Sequence, residues 1–96
     1  MNKTEILQTL HSLSGEIKQN YKAEIVGIFG SYARGEETPN SDIDVLVNFL
    51  DKASIFDLVG LGNFLEKKFE RKVDVVSKRA LRKEIAPYVH ADLIQL

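Results

Sequence analysis

The chain has 96 residues, 44% of them hydrophobic and 28% charged, a balance that suits one globular domain over residues 1–96. A domain of this size buries only about 60–65% of its unfolded surface, so it can build one core but hardly a deep, closed substrate pocket as well. A formal net charge of −1 argues against direct nucleic-acid binding, and the absence of cysteine excludes disulfides, thiolate catalysis and cysteine-ligated zinc.

Residues 2–20 read as an amphipathic helix. Asn2 and Glu5 can form a capping box, and Ile6, Leu10, Leu13 and Ile17 recur at helical spacing. Residues 23–30 are apolar on both faces, which suits a central strand; Gly30-Ser31 ends it, and a short helix starts at Ser31. Residues 35–41 carry Gly, Pro, Asn and Ser and form a loop. Residues 42–49 alternate as a strand, with Ile43, Val45, Val47 and Phe49 on one face and Asp42, Asp44, Leu46 and Asn48 on the other. Residues 54–69 form a second long helix. Ser54 and Asp57 resemble a capping box with Asp in place of Glu, and Ile55, Leu58, Val59, Leu65 and Phe69 make the expected buried stripe.

Residues 72–76 read as a third strand with Val73 and Val75 inward and Asp74 on the opposite face. The tail, 80–96, is expected to be mostly helical, with Pro87 either starting a helix or kinking one. The sum is an α+β fold, a small mixed sheet with helices packed mainly on one face. No apolar run reaches the ~18 residues of a membrane span, and no signal-peptide layout opens the chain, so a soluble cytoplasmic protein is expected.

The chemistry is concentrated in residues 30–44. Asp42 and Asp44 stand two apart on a strand, on one face, with Cα atoms roughly 6.5–7 Å apart. Their carboxylates can approach to roughly 4–5 Å, where two like charges repel by about 3–4 kcal/mol at an effective dielectric near 20. A cation between them removes that repulsion, and hard oxygen ligands favour Mg²⁺. Asp74 is in phase on another strand. If the strands adjoin, three carboxylates can meet: two bridge a metal pair, and the third contacts one ion and takes a proton from an attacking hydroxyl.

Gly30 lets the backbone turn where a side chain would block a phosphate, and Ser31 at a helix start offers free N–H groups and a hydroxyl. Arg34 either contacts phosphate or pairs with Glu36 or Glu37. Ser41 either orients Asp42 or caps the turn, and Tyr32 either packs or shields the site. The basic stretch 67–83 is either a solvated surface or a contact for an anionic partner. His11 and His90 have no partner at metal-ligand spacing. Asp51 and Asp57 read as turn and helix-start residues, and Phe29, Phe49, Phe56, Phe64 and Phe69 as core or near-core.

Gly30-Ser31, then Asp42-x-Asp44, with Asp74 on a later strand, resembles the DNA polymerase β nucleotidyltransferase superfamily. The Ser41-Asp42-Ile43-Asp44-Val45-Leu46-Val47 run and the short length resemble its minimal nucleotidyltransferases. The likeness runs through the third strand and is loose beyond residue 80. It implies a Mg²⁺-dependent enzyme that moves AMP from ATP onto a tyrosine of a cognate HEPN-domain ribonuclease toxin, as the antitoxin of a type VII-like pair. Asp42, Asp44 and Asp74 would hold two Mg²⁺, Asp74 would help activate the tyrosine, and Gly30 and Ser31, with Arg34, would grip the leaving phosphates. Larger members carry a further domain for the acceptor, so a protein acceptor is expected to supply that wall, as homo-oligomer or complex with the toxin. Two other functions fit the residues: an antitoxin that acts by contact alone, and a small-molecule nucleotidyltransferase of the aminoglycoside-modifying kind.

Overall fold

The computed structural model describes all of residues 1–96. Helix α1 (Lys3–Tyr21) is followed by strand β1 (Ala23–Phe29), the short helix α2 (Gly30–Arg34) and strand β2 (Ile43–Phe49). Helix α3 (Ile55–Phe69), strand β3 (Val73–Ser77), a 3₁₀ turn (Lys78–Ala80), helix α4 (Ala86–Asp92) and strand β4 (Ile94–Gln95) complete the chain. The strands form one mixed sheet in the order β3-β2-β1-β4, in which β1 runs antiparallel to β2 and β4, and β2 runs parallel to β3.

Both expected capping boxes form. Asn2 Oδ1 accepts from Glu5 N–H while Glu5 Oε1 accepts from Asn2 N–H, each at 3.0 Å. Ser54 and Asp57 do the same for α3, with Asp57 Oδ2 accepting from Ser54 N–H at 2.8 Å. Ile6, Leu10 and Ile17 of α1 and Leu61, Leu65 and Phe69 of α3 bury against Ile43, Val45 and Val47 of β2 in one cluster. Each such side chain contributes about 1.5–3 kcal/mol relative to exposure. Asp44 and Asp74 therefore lie on the sheet face turned away from α1 and α3. Leu46, on Asp44's side of β2, is also fully buried.

Two expectations fail. In α3, Ile55, Phe56 and Val59 are 68%, 84% and 56% exposed. At about 100° per residue, the stripe through Leu58, Leu61 and Leu65 leaves Val59 well to one side and puts Phe56 diametrically opposite Leu65. The tail is not mostly helical either. Pro87 starts α4 rather than kinking a helix, and residues 94–95 pair with Gly27 and Ile28 of β1. Gly27 permits this, because a Cβ there would overlap the Ile94 carbonyl oxygen. Just before Gly27, the β1–β2 register slips by one residue.

Candidate functional site

The end of β1 and the start of β2 bring the sequence motifs together. Phe29, the last residue of β1, pairs with Asp44. The next residue, Gly30, turns with φ of +76°, a left-handed conformation that side chains disfavour. A Cβ on Gly30 would overlap Asp44 Oδ2. Glycine thus lets the Asp44 carboxylate lie against the backbone that opens α2. Ser31 follows, half-buried, at the same corner.

On its other side Asp44 pairs with Asp74 in the parallel β2–β3 ladder. Two contacts set that register. Ile43 N–H donates to Lys72 O at 3.0 Å, and Val73 N–H donates to Glu66 Oε2 of α3 at 3.1 Å. Ile43 and Val45 anchor β2 in the core, both fully buried, so the residue between them must face the other way. Asp42 sits half-buried just before β2, and Asp74 is exposed.

This crowding has an electrostatic signature. Partial burial, then the negative charges of Asp74 and Asp42, push Asp44 from its ordinary 3.8 up to about 6; the Arg34 charge opposes them. The three carboxylates share one neighbourhood, yet no three acidic or histidine side chains close on a point that could cage an ion unaided. None of the surface cavities is lined by Asp42, Asp44 or Asp74, so the site is open. Hard oxygen donors of like charge, one of them half-buried and slow to ionise, fit a divalent cation whose other ligands are phosphate oxygens and water, which is the habit of Mg²⁺.

Arg34 takes its pairing alternative. Its Nη1 donates to Asp92 Oδ2 at 2.6 Å, and its Nε lies 3.5 Å from Glu36 Oε2. The Asp92 hydrogen bond is the main cause that raises the guanidinium above its ordinary value. Asp92 had no signal in the sequence, because a single acid in a tail of unsettled structure points nowhere. Ser41 caps the turn rather than orienting Asp42: its Oγ accepts from Thr38 N–H at 2.9 Å. Tyr32 packs, at 1% exposure. The basic stretch 67–83 is divided among the end of α3, β3 and the turns that follow.

Residues 10–94 match the family model described as the nucleotidyltransferase domain. The chain belongs to the nucleotidyltransferase family. A relative in Methanocaldococcus jannaschii, provisionally named a protein adenylyltransferase, is 40% identical over 86 residues, 90% of this chain and 85% of the relative. A solved structure described, again provisionally, as a minimal nucleotidyltransferase has a TM-score of 0.81 at 32% identity, covering 100% of this chain and 97% of that one. A crystal structure of a toxin–antitoxin with AMP-PNP has a TM-score of 0.72 at 25% identity, covering 99% of this chain and 72% of that one. The α+β fold is that of minimal nucleotidyltransferases, the resemblance carried by Gly30-Ser31 and Asp42-x-Asp44.

Proposed function

We propose that this chain transfers AMP from ATP to a tyrosine hydroxyl of a HEPN-domain toxin and thereby acts as its antitoxin. One observation carries the reading: the Asp44 carboxylate is wedged between the Gly30 turn and Asp74, so the phosphate-binding backbone and the acidic set form one site. The likeness to a relative named for protein adenylylation, and to a toxin–antitoxin crystallised with an ATP analogue, supports the donor and the kind of acceptor.

In this reading Asp42, Asp44 and Asp74 hold the Mg²⁺ that ATP brings. Bound there, the metal would offset the α-phosphate charge and stabilise the leaving oxygen. Gly30 leaves the phosphates room to approach the backbone, and Ser31 donates to a phosphate oxygen. Asp74, exposed at the outer edge of the set, accepts the tyrosine proton. The phenolate oxygen forms a bond to the α-phosphorus, the α–β bridging bond breaks, and pyrophosphate leaves with that electron pair. Arg34 reaches the leaving phosphates by exchanging Asp92 for them.

The test is transfer of label from α-labelled ATP to the toxin, with Mg²⁺. Label on the toxin's tyrosine is expected, with none from the Asp42→Ala/Asp44→Ala double variant. Absence of label with wild type sinks the catalytic reading. Neutralisation by contact alone is the second reading, favoured by the exposed Ile55, Phe56 and Val59. If the double variant protects cells as well as wild type does, that reading holds instead.

A further inference from the structure

Three of the large apolar side chains that the fold leaves exposed crowd the first five residues of α3: Ile55, Phe56 and Val59. They are well ordered by the Ser54–Asp57 capping box, and none serves the core cluster. Beside them runs an open groove of about 290 Å³ lined by Phe49, Leu50, Ala53, Ile55 and Leu58, with Arg79 at its edge. A protruding aromatic next to a concave apolar groove is the form of a protein contact, in which each side supplies a knob and a hole.

The charges around it select the occupant. Lys22, Lys52, Lys78 and Arg79 belong to the segments that meet here, against Asp51 and Asp57. Both acids are engaged: Asp57 in the cap and 4.0 Å from Lys22, and Asp51 3.6 Å from Arg79. Lys52 and Lys78 have no ion-pair partner, and the positive end of α3 adds to them. A second copy related by a two-fold axis would set one basic rim against another. A flat lipid surface would fill no groove.

We propose that this face docks the toxin through an apolar ridge bordered by carboxylates. The proposal rests on the toxin partner of the preceding reading and adds where that partner is held. The face lies at the far end of β2 from the chemistry. Phe49 is five residues beyond Asp44, roughly 17 Å at about 3.3 Å per residue. The ridge that anchors the toxin is therefore a different part of it from the tyrosine that reacts. Loss of the anchor weakens the complex and leaves the transfer step intact.

The experiment uses the full chain and the all-helical protein encoded beside it. Phe56→Asp and the milder Phe56→Ser should bind that protein about 30-fold or more weakly than wild type, raise KM in AMP transfer and leave kcat within twofold. Arg79→Glu should weaken binding less, and only at low salt. Thermal melting checks that the variants are folded. Wild-type affinity in folded Phe56→Asp and Phe56→Ser, with transfer still running, overturns the docking proposal alone. A wild type that neither binds nor labels the neighbour overturns the functional reading and the docking with it. A wild-type dimer that Phe56→Asp dissociates replaces the toxin with a second copy. Binding to anionic phospholipid vesicles lost in Phe56→Asp, with toxin affinity unchanged, replaces it with a membrane.

Discussion

Replacing Asp44 with asparagine should make the metal-free protein more stable while it abolishes AMP transfer. Burial and the neighbouring Asp74 and Asp42 raise Asp44 from 3.8 to about 6, so its ionised form is worse accommodated in the folded state than in the unfolded chain. The penalty is absent below about pH 4, grows as pH rises from 3.8 toward 6, and is full above that. At about 1.4 kcal/mol per pH unit the upper limit is roughly 3 kcal/mol. Asp44 is about half exposed, and screening by water reduces this to about 1–2 kcal/mol. For a domain of this size that is about 5–10 °C in Tm. Thermal melts of wild type and Asp44→Asn in EDTA at pH 7.5 and pH 4 test it. The variant should melt higher at pH 7.5, and the two should coincide at pH 4. Equal stability at pH 7.5, or a difference that persists at pH 4, would refute the reasoning. Adding Mg²⁺ with a non-hydrolysable ATP analogue should stabilise wild type and leave the variant unmoved.

Three further substitutions probe the scaffold. Gly30→Ala forces a side chain into a left-handed turn and against Asp44; a loss of about 1–3 kcal/mol and at least a hundredfold drop in kcat are expected in melts and single-turnover assays. Gly27→Ala puts a Cβ into the Ile94 carbonyl, so hydrogen exchange should show β4 detached, with the Leu96 amide, normally bonded to Val26 O, losing its protection. Ser54→Ala removes the α3 cap and should lower stability by about 1 kcal/mol, read as about 5 °C in Tm, with the transfer kcat unchanged.

The parts of the fold that were legible in sequence are those where one face must be dry. Ile43, Val45 and Val47 could only alternate inward, which sent Asp44 outward, and the same phase on Val73 and Val75 placed Asp74. Asn2–Glu5 and Ser54–Asp57 are local chemistry and read correctly. Phe56 misled because apolarity alone was weighed, whereas its nine-residue offset from Leu65 already assigned it to the outer face. Residues 94–95 form too short a strand for any periodicity. The available signal was Gly27 in a strand interior, a position that marks a close backbone approach. The alternatives for Arg34 and Ser41 stayed open because both depend on distant or turn geometry that spacing does not encode.

The pairing of β1 has a consequence for synthesis. Its neighbours in the sheet are residues 43–49 on one side and 94–95 on the other. Until the last residues are made, one edge of a strand apolar on both faces stands open. At about 5–20 residues per second, the wait from Phe29 to Ile94 is on the order of 3–13 s. During that interval the nascent chain carries a template for mispairing, with Arg34 still lacking Asp92. Protection of the growing polypeptide and completion of the phosphate turn thus arrive together, with the final helix and strand.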